Sequence, residues 1–131
     1  MDNTDQIILS KLRSDGRKSF IEIGREVDLT EGAVRARIGK MVRNGTIKRF
    51  TVETKDDVKA IVMVATSRSV STTNVAEAIR KLGVDRAYEI SGNFDIICFV
   101  ESNAMEDVNE IVERIRAIDG VTDTSTSLVL K

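Results

Sequence analysis

Leu29-Thr30-Glu31-Gly32-Ala33-Val34-Arg35-Ala36-Arg37-Ile38-Gly39-Lys40-Met41-Val42-Arg43-Asn44-Gly45 is the stretch on which the fold turns. Thr30 is a good helix N-cap, and Leu29 before it can staple onto Val34. Asn44-Gly45 is an ordinary C-terminal stop. A helix starting at Glu31 places Val34, Ile38, Met41 and Val42 on one stripe, at about 100° per residue. Gly32, Ala36, Gly39, Lys40 and Arg43 fall on the opposite side, with Arg35 and Arg37 on the flanks. Glycine costs a helix about 1 kcal/mol relative to alanine, so two on an exposed face need a reason. One reason is a slim surface that sinks into the major groove of duplex DNA, about 12 Å wide, while Arg and Lys reach phosphates or base edges. The plainer reading is that exposed glycines are tolerated.

Upstream, Ile7, Ile8 and Leu12 mark a helix over about 4–13, closed by the Asp15-Gly16 turn. Phe20, Ile23 and Val27 mark a second over about 19–26, and the break at 28–30 gives a helix-turn-helix spacing. Residues 1–52 hold eleven Lys/Arg against seven Asp/Glu, a net +4, while residues 53–131 carry −5 in a chain of net charge −1. A basic island in an acidic chain is the footprint of a polyanion-binding element. Charge alone leaves a solvated helix face as the alternative. Lys18, Thr30, Arg35, Ala36, Arg37, Lys40, Arg43, Lys48 and Arg49 are the candidate DNA contacts. Residues 46–52 alternate and are rich in β-formers, so a wing or hinge strand is expected there. Residues 53–58 read as a linker.

The second half, 59–131, repeats a pattern. A β-rich run at 60–66 precedes a helix over about 73–82, and Gly83-Val84 leads into a strand reaching Ile90. A mostly apolar strand at 94–101, expected to be buried on both faces, precedes a helix with Asn103 and Glu106 as a capping box. Gly120-Val121 repeats the Gly-Val exit into a last strand ending at Leu130. This β-α-β-β-α-β order is the ferredoxin-like unit. Both helices should cover one sheet face and leave the other for a partner. The chain is thus α+β: a winged helix-turn-helix domain and a ferredoxin-like domain. There is no His, and Cys98 is the single cysteine. Histidine-based catalytic triads, Cys-His pairs, Cys-rich zinc sites and intrachain disulfides are therefore excluded. Cys98 reads as a buried small hydrophobe. No signal peptide or membrane span is visible, so a soluble, cytoplasmic protein without a membrane partner is expected.

These pieces together resemble the leucine-responsive/asparagine-type (Lrp/AsnC) transcription regulators, whose C-terminal half is the RAM domain. The resemblance rests on Asp5-Gln6-Ile7-Ile8, Asp15-Gly16-Arg17, Leu29-Thr30, 34–38, Asn44-Gly45-Thr46-Ile47-Lys48, Ser91-Gly92-Asn93-Phe94-Asp95, and Gly120-Val121 with 124–130. It implies a DNA-binding regulator, not an enzyme. Its hinge strands swap and its RAM sheets pair in a dimer that assembles to a tetramer or octamer. It also implies a free amino acid bound between RAM domains, with lysine, glutamine and leucine as candidates, and no other cofactor. Carried over by motif, Tyr88, Ser91, Gly92, Asn93, Phe94 and Asp95 form one wall of that site, and Thr124, Ser125 and Thr126 approach from the last strand. Glu101 could face a cationic ligand or solvent. Asp95 is either the anion for the ligand's ammonium or a hairpin-turn carboxylate, and the Thr/Ser run is either ligand-facing or simple strand propensity. The connector before Ala60 is shorter than is usual in the family and lacks proline. Tetrapyrrole (sirohaem) decarboxylases share the two-domain fold but use histidines, which this chain lacks. An architectural, effector-blind DNA binder stays open as an alternative.

Overall fold

The computed structural model describes residues 1–55, 58–84 and 86–131, so Asp56 and Asp57 of the expected linker and Asp85 lie outside the described residues. The chain divides into two compact units, Met1–Glu53 and Thr54–Lys131.

The first unit holds three helices, α1 (Asn3–Ser14), α2 (Phe20–Val27) and α3 (Glu31–Arg43). Each start is capped by a side chain. Asp2 and Asp5 form a reciprocal capping box on α1, Ser19 accepts from the Glu22 N–H, and Thr30 accepts from the Ala33 N–H at 3.1 Å. The turn between α2 and α3 is fixed by backbone contact. The Leu29 N–H donates to the Gly24 carbonyl at 2.8 Å, and Asp28 takes a left-handed conformation, φ 57°. A Cβ on Gly24 would stand 2.4 Å from the Leu29 carbonyl oxygen, so only glycine lets the helices close this tightly.

Ile8, Ile23, Val34, Ile38 and Met41 form the core of this unit. Val42, expected on the same stripe, is 45% exposed, because it lies on the shoulder of α3 rather than over α1 and α2. Residues 46–52 form no strand among the described residues. The Ile47 N–H closes onto the Met41 carbonyl, while Phe50 and Val52 are exposed. Alternation confers strand propensity, but a strand needs a ladder partner, and the described residues supply none.

A core this small buries little surface, so the helix caps matter more. The Arg37 guanidinium on α3 donates to Asp2 at 2.7 Å and Asp5 at 3.0 Å, bracing α3 to the start of α1. Lys18 meets Glu26 at 2.6 Å, and Lys11 meets the same carboxylate at 3.3 Å.

The second unit contains β1 (Val58–Thr66), α4 (Thr72–Lys81), β2 (Arg86–Glu89), β3 (Ile96–Ser102), α5 (Met105–Arg116) and β4 (Val121–Leu128). The sheet is antiparallel, in the order β2-β3-β1-β4, which is the ferredoxin-like arrangement. Ala60, Val62, Val64, Ala87, Ile96, Cys98 and Val100 point from the sheet into one core with Val75, Ala76 and Ile79 of α4 and Val108, Val112 and Ile115 of α5. β3 alternates rather than being buried on both faces: Ile96, Cys98 and Val100 are buried, Ile97 and Phe99 only partly. The reason is that both helices lie on one side. The Asn103/Glu106 capping box does not form. α5 begins after Ala104, and Ser102 instead bridges to Asp107 of the first turn.

Two outcomes test this account. Gly24→Ala should destabilise the helical unit by about 1–3 kcal/mol. Gly32→Ala, whose Cβ would meet nothing within 4 Å, should gain up to about 1 kcal/mol. Urea unfolding followed by far-UV circular dichroism reads both, and a neutral Gly24→Ala would refute the close approach. The second outcome concerns pH. The Arg37 hydrogen bond holds the Asp2 carboxyl below its usual 3.8, and Lys18 holds Glu26 below 4.5. Stability from these pairs is present above those values and is lost as pH falls through the lowered ones. Glu26 raises Lys18 above 10.5, so that contribution is lost only in strong alkali. Glu26→Gln should therefore flatten the decline in melting temperature below about pH 5; an unchanged decline would remove the Lys18–Glu26 pair from the account.

Candidate functional site

The outer side of α3 is bare. Gly32 and Ala36 are exposed, and no atom lies within 4 Å of where a Gly32 Cβ would stand. Over Gly39 the same position lies 3.2 Å from the Arg43 guanidinium, the far end of a flexible side chain. Lys40 and Arg43 are exposed and enter no ion pair among the described residues. This face can therefore approach a flat or grooved polyanion closely, with mobile cations along its edge.

The remaining basic candidates divide. Arg35 meets Glu31 at 2.6 Å and lies over the Phe20 ring, 5.1 Å from its centroid, yet stays 65% exposed. Thr30 uses its hydroxyl oxygen as the α3 cap. Lys48 and Arg49 are exposed in the segment after α3. Lys18 and Arg37, also expected as DNA contacts, enter the intrachain pairs described above. Helical position alone could not reveal that, because both partners of Arg37 lie more than thirty residues away. Phe20 and Glu31, not among the sequence candidates, are the side chains that Arg35 meets, and the i,i+4 spacing of Glu31 and Arg35 was the available signal.

In the second unit, Ser91, Gly92 and Asn93 form an exposed turn between β2 and β3, with Gly92 at φ 129°, where a side chain would be strained. Phe94 and Asp95 are half-buried. The Asp95 carboxylate accepts from the Thr66 N–H at 2.8 Å, its own N–H donates to the Val64 carbonyl, and its carbonyl accepts from Ile90. Asp95 thus ties the turn to the end of β1, and this gives the hairpin-carboxylate reading a concrete form. Tyr88 stands on the helix-free sheet face, edge-on to Phe99 at 6.2 Å.

The three last-strand hydroxyls divide between the two faces of the sheet. Thr124 and Thr126 pair with Val64 and Val62, on the helix side, while Ser125 pairs with Met63 on the open side. Thr124 accepts from Arg116 of α5 at 2.9 Å. Glu101 pairs with Lys59 at the other end of β3, about 20 Å along the strand from Asp95 at roughly 3.4 Å per residue. It meets Arg86 at 3.9 Å and does not join the turn. A hollow of about 330 Å³ is lined by Arg116, Val121, Thr122, Asp123 and Thr124. Arg116 is not among the sequence candidates, because it reads in sequence as one more solvated helix charge.

The open sheet face carries Ile61, Met63, Ile97, Phe99 and Tyr88, partly to well exposed. Cys98 points the other way, fully buried, and burial pushes its thiol pKa up to about 11. It is a core side chain and not a nucleophile.

Comparison with known proteins agrees with both halves. Residues 1–42 match the AsnC-type helix-turn-helix domain, and residues 59–131 match the Lrp/AsnC ligand binding domain. The HTH-type transcriptional regulator LysM of Sulfurisphaera tokodaii is 36% identical over 134 residues, covering 100% of this chain and 96% of that protein. The crystal structure of PH0061 superposes with a TM-score of 0.84 at 20% identity, covering 100% of this chain and 93% of that one. The L-Met complex of the regulator NMB0573 from Neisseria meningitidis gives 0.74 at 21% identity, covering 100% and 90%. A slim basic helix behind a glycine-closed turn, followed by a ferredoxin-like unit, is what that kinship leads one to expect: the chain belongs to the Lrp/AsnC family and is a DNA-binding transcriptional regulator.

Proposed function

We propose that α3 enters the major groove with its Gly32/Ala36 side leading, that two copies join through their open sheet faces, and that an amino acid held near the 91–95 turn biases the assembly. The observation that carries this reading is the bare outer side of α3, flanked by the untethered Lys40 and Arg43. Five apolar side chains on the helix-free sheet face support self-association, since such a patch is costly in water. Exposed Phe50 and Val52 on a β-prone segment support pairing of 46–52 with its counterpart in a second copy. In such a dimer two copies of α3 read half-sites about one helical turn apart. The copies assemble further, to a tetramer or octamer, around the bound ligand.

The effector is an α-amino acid. The turn offers backbone N–H groups for a carboxylate and Asp95 for an ammonium, and two structural neighbours are described as L-methionine complexes. A ligand acts only through its preference for one arrangement of the subunits, typically by about 1–3 kcal/mol. The protein works in the cytoplasm, where operator DNA and free amino acids meet.

Lys40→Ala and Arg43→Ala should each weaken DNA binding and lower the slope of log K against log salt by roughly 0.9 for each phosphate no longer neutralised. Fluorescence anisotropy at several salt concentrations measures this, and unchanged slopes would withdraw α3 from the interface. In a thermal-shift screen of the twenty amino acids, a true effector at 100 times its Kd should stabilise by about 2.7 kcal/mol. Asp95→Asn can still accept from the Thr66 N–H but carries no charge, so it should fold normally and lose the shift. An empty screen would favour an effector-blind architectural protein.

A further inference from the structure

The cationic side chains of α3 fall into three mechanical classes. Lys40 and Arg43 are untethered. Arg37 is clamped between two carboxylates of another helix, with a third of its side chain exposed. Arg35 is intermediate: one Nη2–H is given to Glu31 at 2.6 Å, the guanidinium lies over the Phe20 ring, and 65% of the side chain faces solvent. An untethered cation suits a phosphate, which asks only for charge. A planar guanidinium held in one orientation suits a base edge, because bidentate recognition loses little further freedom on binding.

Position points the same way. Arg35 sits in the second turn of α3, in the half of a recognition helix that meets base edges. Its helix-surface neighbours three before and four after are Gly32 and Gly39, so neither carries a side chain that could hold the backbone away from the groove floor. Its ion pair with Glu31 has no net charge, and the pair adds little to attraction for DNA of arbitrary sequence.

Resting on the proposed insertion of α3, we propose that Arg35 is the specificity-determining residue of the operator contact. It reads the O6/N7 edge of one guanine in each half-site, with Glu31 and the ring of Phe20 as the residues that position it. Arginine to guanine is the commonest specific pairing in the major groove. The paired Glu31 carboxylate cancels the arginine's charge on non-operator DNA, so selectivity is gained without raising background affinity.

The test uses the full chain and a duplex selected from random sequence by that chain. Anisotropy titrations then cover every single-base-pair change in the half-site and one random duplex. In the wild type, one G·C pair should cost about 5- to 150-fold in affinity when replaced by A·T. Arg35→Ala and Arg35→Lys should abolish the preference at that pair alone. Phe20→Leu, which keeps an apolar side chain against the core, should weaken the same preference and leave the salt slope unchanged. Glu31→Ala should also weaken it while raising affinity for the random duplex, and Glu31→Gln, which retains an acceptor, should restore part of the preference. A uniform drop in affinity across all duplexes in Arg35→Ala, with the slope falling by roughly 0.9, would make Arg35 a phosphate contact and overturn the proposal. So would an Arg35→Ala protein that keeps the wild-type preference. If Lys40→Ala and Arg43→Ala are silent as well, the insertion of α3 itself has failed; if they are not, only the role of Arg35 has.

Discussion

The close meeting of Gly24 with the Leu29 carbonyl sets where α3 can point. One hydrogen bond of 2.8 Å and the space for no Cβ hold the end of α2 against the start of the next turn. Asp28 absorbs the reversal in a left-handed conformation, and Thr30 then caps α3 at once. Three consecutive local constraints leave α3 little freedom of direction. Val34, Ile38 and Met41 face the other helices because of this, and Gly32 and Ala36 face outward. A looser turn would let the helix roll, and a roll of one residue, about 100°, would hide the bare side.

Ion pairing then sorts the basic side chains that this geometry leaves on the surface. The eleven Lys/Arg of residues 1–52 overstate the cations open to a partner, because Lys11, Lys18 and Arg37 are paired with Glu26, Asp2 and Asp5. Lys40 and Arg43, on the later turns of α3, enter no ion pair among the described residues. Individually such exposed pairs stabilise little. Their larger effect is directional: they neutralise the charge near α1 and leave the outer side of α3 as the cationic surface.

Much of this was legible in the sequence, and the failures have physical causes. Helices came through because their period, caps and stops are local, and the βαββαβ order came through because its segments alternate in type. Residues 46–52 did not, since propensity cannot supply a ladder partner. β3 misled for a related reason: a continuous apolar run looks the same whether its second face is covered by helices or left open. Successive strand residues point to opposite faces, so the division of the Thr/Ser run at 124–126 between the two sheet faces was readable from the sequence. The ion pairs of Arg37 lay beyond local reading, because Asp2 and Asp5 lie more than thirty residues away and such a pair leaves no mark on spacing.

Asp95, proposed to meet the effector's ammonium, is also a structural tie in the second unit. Its carboxylate closes the turn against β1 while its backbone joins Val64 and Ile90, so the turn cannot change shape without disturbing the end of the central strand. A ligand that drew the carboxylate toward its ammonium would compete with the Thr66 N–H for the same group. That competition is a physical route from binding to shape: the stronger the ligand's hold, the weaker the bond at the end of β1. From there β1 carries the effect directly, because its other face bears Ile61 and Met63, the centre of the apolar surface proposed to join two copies. An effector site on a freely mobile loop would lack this connection. One tied into the sheet through a carboxylate cannot avoid it.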